Sequence, residues 1–420
     1  MRAMKDSGIA WIGEIPEDWE IARIKQLFSE VNDRCESSEN YTLLSVSEYY
    51  GIAPKSEKIS DDDMLTHAET LDGYKICKEN DLVMNIMLAW KRALGVSKYV
   101  GIVSPAYCVF RKKRNMYVKY FHYLFRTDIY ANLFKQYSTG IIDSRLRLYP
   151  DKFLSLKCQA PPLDIQHRIA DYLDRKCSQI DAIIARQQEV IEKLKAYKLS
   201  VITEAVTKGL NPHVPMKDSG VEWIGKIPEH WEVMKFGRCA TIKSNLVAPD
   251  DYADYPQISP DSIEKNSGRI IDYKTVKEAG VISWNHLFFK GQVIYSKIRP
   301  MLNKVAIAPF DGLCSADMYP IETSNDTQFL VYLMLSDYFT SQVGLVTENR
   351  VKMPKINQNE LSAIMVTIPP QSEQETISKY LSEKCASLDV AIDKKQGLIY
   401  KLNAYKKSLI YEVVTGKKEV

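Results

Sequence analysis

The chain has 420 residues, a formal net charge of +3, 45% hydrophobic residues and 26% charged residues. This length allows several compact units, and the near-neutral charge neither requires nor excludes a nucleic-acid partner. No run approaches the roughly 20 apolar residues that cross a bilayer, and the N-terminal sequence lacks the apolar core of a signal peptide. We therefore expect a cytoplasmic protein without a membrane partner.

A block near the N-terminus occurs a second time in the middle of the chain. MKDSGIAWIGEIPEDWE begins at Met4, and MKDSGVEWIGKIPEHWE begins at Met216. A match this dense indicates an internal duplication.

The first variable stretch, about residues 25–158, follows the first block. Runs typical of β-strands occur at Tyr41–Val46, Asp81–Ile86 and Ala106–Phe110, and Tyr117–Tyr137 is predicted to be one helix. The aromatic side chains of this helix recur at helical spacing, which is more typical of a core than of a base-stacking surface. Four basic residues fall in predicted loops or turns: Lys91, Arg92, Arg145 and Arg147.

A long helix is predicted next, because residues 164–207 contain neither proline nor glycine. Pro161 and Pro162 precede it, and Gly209 lies where a helix stop is expected. Apolar residues alternate at spacings of four and three, which predicts a coiled-coil seam. That seam comprises Ile169, Leu173, Ile180, Ile183, Val190, Leu194, Tyr197 and Val201.

The second variable stretch, about residues 238–366, follows the second block and resembles the first only faintly. Strands are predicted at Gln292–Tyr295 and Lys304–Ala308, and a helix at Thr327–Val343. Its basic residues in predicted loops are Lys297, Arg299, Lys304, Arg350 and Lys352.

The chain then repeats the long helix, again after a Pro-Pro pair and with Gly416 at the expected stop. The second predicted seam comprises Ile377, Leu381, Leu388, Ala391, Leu398, Leu402, Tyr405 and Leu409. Polar residues interrupt the seams at Lys176 and Gln187, and at Lys384 and Lys395. These residues either set the register or face solvent, and the sequence does not distinguish the two interpretations.

The duplication predicts an α+β fold with pseudo-twofold symmetry. Two globular mixed α/β domains would be separated by two long helices that form an antiparallel coiled coil, and the coil would act as a ruler. The expected boundaries are 1–158 and 210–366 for the domains, and 159–209 and 367–420 for the helical segments.

The basic clusters fall at comparable places in the two halves of the chain. Lysine and arginine in loops neutralise phosphates, and an arginine fork can read guanine in the major groove. Solvated surface charge is the competing interpretation for any one residue, but the paired clusters together favour DNA contact.

Motifs for catalysis or for metal binding are absent from the sequence. The eight cysteines form no CxxC pair, which indicates reduced thiols and no zinc site. There is no P-loop, no glycine-rich S-adenosylmethionine motif and no HExxH cluster. We therefore predict no catalytic residue and a recognition function.

The duplicated KDSGxxWIGxIPxxWE block and the two helices ending in KLxAYKxSxIxExVTxG closely resemble the specificity subunit of type I restriction-modification systems. This resemblance implies that each variable stretch is a target recognition domain for one half of a bipartite double-stranded DNA site. It further implies that the helices set the spacing and dock two methyltransferase subunits, with restriction subunits joining the full complex.

The resemblance assigns no cofactor to this chain, because S-adenosylmethionine, ATP and Mg²⁺ would belong to the partner subunits. Two alternatives remain: a coiled-coil scaffold joining two protein-binding domains, and a free-standing nuclease or methyltransferase. Salt-sensitive DNA binding would argue against the scaffold, and the missing motifs argue against the enzyme.

Overall fold

The computed structural model describes residues 3–57, 71–348, 350 and 353–420. The chain divides into two compact units. Unit 1 joins the chain up to Arg186 with Leu398–Val420, and unit 2 is Gln187–Gly397.

Unit 1 is built mainly from short strands and short helices. Its strands are β1 (Met4–Asp6), β2 (Glu14–Pro16), β3 (Glu20–Arg23), β4 (Phe28–Val31), β5 (Leu44–Ser47), β6 (Gly51–Pro54), β7 (Lys75–Cys77), β8 (Leu82–Asn85), β9 (Leu94–Val96), β10 (Gly101–Val103), β11 (Tyr107–Lys112) and β12 (Lys157–Ala160). Its helices are α1 (Ile24–Leu27), α2 (Val118–Phe125), α3 (Asp128–Tyr137), α4 (Pro150–Ser155), the first part of α5 (Leu163–Lys208) and the last part of the C-terminal helix α10 (Gln371–Val414).

An antiparallel sheet with the order β4-β11-β8-β9 forms the framework of unit 1. Strand β8 is buried along its whole length, since both of its faces are covered. Aromatic residues of α2 and α3 fill the core against this sheet; Phe28 and Phe121, for example, meet edge to face at 5.6 Å. The prediction that the aromatic stripe is core is confirmed.

The stretch predicted as one helix, Tyr117–Tyr137, is two helices, so that prediction was wrong. The interruption lies at Thr127, whose backbone is extended (φ −72°, ψ 157°). The Thr127 hydroxyl donates to the carbonyl of Leu124 at 2.8 Å. This bond satisfies a carbonyl at the end of α2, so the chain can turn before α3 begins.

Unit 2 contains the second repeat. Its strands are β13 (Met216–Asp218), β14 (Lys226–Pro228), β15 (Glu232–Lys235), β16 (Ala240–Ile242), β17 (Leu246–Val247), β18 (Pro256–Ile258), β19 (Lys274–Thr275), β20 (Asn285–Phe288), β21 (Val293–Ser296), β22 (Val305–Ile307), β23 (Gly312–Cys314), β24 (Met318–Thr323) and β25 (Met365–Ile368). Its helices are the last part of α5, then α6 (Phe236–Cys239), α7 (Thr327–Leu335), α8 (Asp337–Thr347), α9 (Gln358–Ala363) and the first part of α10 (Gln371–Val414).

The framework sheet of unit 2 has the order β16-β24-β21-β22 and the same antiparallel pattern as its counterpart in unit 1. The variable stretches therefore share a fold although their sequences have diverged. They differ in the second sheet, which has five strands in unit 2 (β17-β20-β23-β18-β19), whereas β5–β6 and β7–β10 form two-stranded ladders in unit 1.

The five predicted strands correspond to β5, β8, β11, β21 and β22, with ends displaced by up to three residues. The predicted helix Thr327–Val343 is again two helices, and this prediction was wrong for the same reason as in unit 1. Ser336 separates them, and its hydroxyl donates to the carbonyl of Leu333 at 2.6 Å.

Both long helices begin and end as the sequence predicts. Helix α5 begins directly after Pro162, and α10 begins directly after Pro370. Gly209 and Gly416 follow their ends with φ of 73° and 76°, a left-handed conformation that glycine adopts without strain. A Cβ on Gly416 would lie 2.6 Å from the ring of Pro16, so the tight contact also requires glycine there.

The two helices pair antiparallel within each unit. In unit 1 the Lys406 ammonium on α10 donates to Asp181 on α5 at 2.6 Å. In unit 2 Lys198 on α5 donates to Asp389 on α10 at 2.8 Å. Asp181 and Asp389 are equivalent in the repeat, as are Lys198 and Lys406. The predicted antiparallel pairing is thus confirmed, with the same ion pair in both units.

The buried face of the helices differs in part from the predicted seam. Ile169, Leu173, Ile180, Ile377, Leu381 and Leu409 are buried, and Leu409 belongs to the core of unit 1. Val190, Leu194, Val201, Leu388, Ala391 and Leu402 are half-buried. Ile183, Tyr197, Leu398 and Tyr405 are exposed, and the following residue in each case is more deeply buried.

This displacement by one residue follows from helix geometry. A straight helix repeats every 3.6 residues rather than every 3.5, so a strict heptad drifts around its surface.

The polar residues that interrupt the predicted seams differ in burial. Lys176 is exposed, whereas Gln187, Lys384 and Lys395 are half-buried.

No single helix among the described residues is long and apolar enough to cross a membrane. Helices α7 and α8 meet this criterion of length and apolar composition only when they are taken together. They are bent by 60° at Ser336.

Candidate nucleic-acid interface

Two loops of unit 1 lie side by side at one end of its framework sheet. The first, residues 86–93, connects β8 to β9; the second, residues 138–149, connects α3 to α4. The backbone N–H of Leu148 donates to the carbonyl of Ile86 at 2.9 Å and fixes the loops together. The structure therefore brings together the four basic residues predicted in unit 1.

Residues 86–93 form a tight turn whose two cations differ in environment. Lys91 is exposed, and its ammonium lies 5.2 Å from the ring centroid of Trp90. Arg92 has a left-handed backbone (φ 67°), and its guanidinium forms an ion pair with Asp128. Lys91 is therefore available to a ligand, whereas Arg92 is engaged with α3.

Residues 138–149 form a closed loop with two outward-facing arginines. Thr139 and Arg147 exchange backbone hydrogen bonds of 2.9 and 3.0 Å at its base. Arg145 and Arg147 are exposed, and within the described part of the chain neither side chain makes an ion pair. Two uncommitted guanidinium groups on an ordered loop suit phosphate or guanine recognition.

Lys135, which the sequence did not single out, connects the two loops. Its ammonium donates to Asp143 in the second loop at 2.7 Å and lies 5.0 Å from the Trp90 ring centroid in the first. Tryptophan is the most favourable aromatic for such a cation. In the sequence, the feature that could have indicated this contact is Trp90, which directly precedes Lys91 and Arg92.

Arg126 supports the first loop from below. Its guanidinium donates to the backbone carbonyls of Arg92 and Leu94 at 2.7 and 2.8 Å, and to that of Glu48 at 3.0 Å. Burial, with a smaller contribution from Arg92, lowers the pKa of Arg126 to about 10. A guanidinium surrounded by carbonyls remains charged at neutral pH and holds the turn in place.

Unit 2 repeats this pair of loops. Residues 297–304 connect β21 to β22, and a second loop connects α8 to α9. Arg299 donates its N–H to the carbonyl of Pro354 at 2.8 Å, and Ile356 donates to that of Lys297 at 2.9 Å. The basic clusters that the sequence placed at comparable positions in the two halves therefore lie on equivalent loops. Their basic residues do not align one to one.

The cations of the β21–β22 loop divide into exposed and committed groups. Arg299 is exposed on a left-handed backbone (φ 45°) and makes no ion pair with any described residue. Lys297 is half-buried, with its ammonium 5.1 Å from the Tyr319 ring centroid. Lys304 donates to the carbonyl of Pro260 at 2.7 Å and to Asp261 at 3.2 Å, so it stabilises unit 2 internally.

Arg350 is exposed but engaged. It pairs with Glu360, which also accepts from the Asn357 N–H at the start of α9, and it donates to the carbonyl of Lys355. The Arg350 guanidinium lowers the pKa of the Glu360 carboxyl. Lys352 lies outside the described residues.

The described residues contain no group of three or more histidine, cysteine, aspartate or glutamate side chains that could hold a metal ion. All eight cysteines are free and buried. Burial raises the pKa of Cys77, Cys108 and Cys239 to about 12, which keeps these thiols protonated and unreactive.

Two recognition domains of one fold, each joined to antiparallel helices and each displaying paired basic loops, define a protein of the duplicated DNA-specificity class. The chain belongs to the family described as "Type I restriction modification DNA specificity domain", whose sequence pattern matches residues 16–193 and 228–397. It is a type I restriction-modification specificity subunit, and the predicted resemblance is confirmed.

Named relatives agree with this assignment. The chain is 36% identical over 267 residues to the type I restriction enzyme EcoDI specificity subunit of Escherichia coli, an alignment that spans 60% of each chain. It is 25% identical to the putative MjaX specificity subunit of Methanocaldococcus jannaschii over 97% of this chain and 95% of that relative.

A solved structure shares the fold. It is described as "Structural basis underlying complex assembly and conformational transition of the type I R-M system" and has a TM-score of 0.71 at 12% identity. The match covers 96% of this chain and 99% of that one.

Proposed function

We propose that each unit of this specificity subunit reads one half of a bipartite double-stranded DNA site through its paired loops. The observation that carries the proposal is the recurrence of the paired loops in both units, with Arg145, Arg147 and Arg299 exposed and without ion-pair partners among the described residues. Cations held on ordered backbone suit both phosphate contact and base readout. Lys91 and Lys297 extend the same surfaces, whereas Lys304, Arg350 and Arg92 stabilise them.

The long helices set the distance between the two half-sites. Helix α5 has 46 residues and α10 has 44, and helices of this length extend for about 65–70 Å at about 1.5 Å per residue. The ion pairs Asp181–Lys406 and Lys198–Asp389 fix their register. Long paired helices whose register is fixed within each unit support the role of a ruler.

This chain recognises DNA and leaves the chemistry to other subunits in the cytoplasm. Two methyltransferase subunits dock on the helical segments, and restriction subunits complete the assembly. S-adenosylmethionine, ATP and Mg²⁺ bind those subunits. The duplicated frame supports two copies of one methyltransferase, because equivalent residues of the two repeats make equivalent contacts.

Arginine substitutions in the unit 1 loops test the proposal. In the complex with the methyltransferase subunits, Arg145→Ala or Arg147→Ala should weaken binding to the cognate site by about 1–3 kcal/mol, because each removes a guanidinium contact to DNA. The measurement is equilibrium binding at several salt concentrations. Loss of a phosphate contact lowers the salt slope by about one, whereas loss of a base contact relaxes one half-site.

Lys112→Ala is the matched control, since this exposed cation lies on β11 at the end of the sheet opposite to the loops. It should leave affinity and specificity unchanged. Wild-type affinity in both arginine variants would contradict the assignment of this surface.

A further inference from the structure

Two adjacent isoleucines project from the second loop of unit 1. The residue Ile141 is 99% exposed and Ile142 is 53% exposed. Single exposed aliphatic side chains are common on protein surfaces. Two adjacent β-branched residues at the tip of one loop, the first almost wholly exposed, form an apolar point that is available to a ligand.

The loop that carries these isoleucines is held in one conformation. Its base is closed by the reciprocal backbone bonds of Thr139 and Arg147, and its far side by the ion pair of Asp143 with Lys135. Gly140 allows the two sides to cross closely, since a Cβ there would lie 2.6 Å from the carbonyl oxygen of Arg145. The apolar tip is therefore displayed by a preformed structure.

The surroundings of the tip indicate the chemistry of its ligand. Arg145 and Arg147 belong to the same loop and are exposed, and the loop hydrogen-bonded to it through Leu148 and Ile86 exposes Met87 and Leu88 by 39% and 38%. An apolar point flanked by cations matches a DNA groove, where phosphates surround the base edges. Among the base edges of the major groove, only thymine offers a methyl group for apolar contact.

We propose that Ile141, supported by Ile142, packs against the 5-methyl group of a thymine in the half-site read by unit 1. Ile141 is then a specificity-determining residue that favours thymine over cytosine at that position, while Arg145 and Arg147 anchor the loop. This inference rests on the proposed function and adds the identity of one recognised group.

Replacing thymine by deoxyuridine tests the contact, because it removes the methyl group and leaves base pairing intact. The probes are duplexes of the cognate site in which the thymines of one half-site, or of the other, are replaced. Binding of the chain in complex with its methyltransferase subunits is measured for wild type, Ile141→Ala and Val100→Ala. Val100 is 60% exposed in unit 1 outside both loops and is the matched control.

Wild type and Val100→Ala should bind one deoxyuridine-substituted half-site roughly fourfold more weakly, the value of one buried methyl group. Ile141→Ala should bind the thymine and deoxyuridine duplexes equally. The inference is overturned if wild type does not distinguish them in either half-site, or if Ile141→Ala retains the full difference. Failure of the proposed function would look different, since wild type would then show no preference for the cognate duplex over a scrambled one.

Discussion

At the scale of single residues, buried groups beneath the loops position the exposed ones. His122 of α2 lies against β9 and beside Gly51 of β6. Its Nδ1 accepts a hydrogen bond from the N–H of Val96 at 3.2 Å. Burial, followed by the charges of Arg126 and its neighbours, lowers the pKa of His122 to about 3. The ring is therefore neutral in the folded protein, and its acceptor nitrogen holds the strand that leaves the first loop.

The lowered pKa of His122 predicts a pH dependence of stability. The unfolded ring titrates near 6.5, so the unfolded state binds the extra proton first as the pH falls. Stability from this group is complete above pH 6.5 and is lost below it, by about 1.4 kcal/mol per pH unit. His122→Asn, which retains an acceptor but does not titrate, should reduce the loss between pH 7 and 5 by about 2 kcal/mol. Denaturant unfolding at the two pH values measures it, and equal losses in variant and wild type would contradict the assignment.

The sequence identified which loops are basic but not which cations are free. Lys304 and Arg350 look like Arg145 in the sequence, yet both are engaged within unit 2. Their partners Asp261 and Glu360 lie 43 and 10 residues away along the chain. Contacts of this kind depend on folding, and composition does not reveal them.

At the scale of elements, the sequence defined the long helices more accurately than their packing. Prolines and glycines marked their ends, because both residue types act on the local backbone. The buried face drifts with the 3.6-residue period of a straight helix, and the interruptions at Thr127 and Ser336 depend on tertiary contacts. A hydroxyl that bonds to a carbonyl three residues earlier ends a helix only where the core favours the turn.

The two repeated ion pairs of the helices predict unequal contributions to stability. Lys198 and Asp389 have 8% and 21% of their side chains exposed, whereas Lys406 and Asp181 have 26% and 55% exposed. Asp389→Ala should lower the free energy of unfolding by about 3–5 kcal/mol, because it leaves a buried ammonium without a partner. Asp181→Ala, the matched control from the repeat, should cost less than about 1 kcal/mol. Chemical denaturation compares them, and equal costs would show that burial does not set the contribution of the pair.

At the scale of the whole molecule, duplication was the property that the sequence revealed best. The repeated blocks predicted two recognition domains and the antiparallel helices, and the repeat of the framework sheet confirms that organisation. The shared fold of the two variable domains could not be predicted, because different residues occupy the equivalent core positions. The paired loops became visible only through the bonds of Leu148 and Ile356 to the neighbouring turns.

The most direct test of the account lengthens both helices and measures the gap in the DNA site. Seven residues inserted after Arg186 in α5 and seven after Gly397 in α10 fall at the boundaries between the units and preserve the pairing within each one. Each helix gains about 10 Å, equivalent to roughly 3 base pairs. Methylome sequencing of cells that carry the modified chain should return the same two half-sites with a gap wider by about 3 base pairs. An unchanged gap, or a single uninterrupted recognition sequence, would contradict the claim that the helices hold two readers at a fixed separation.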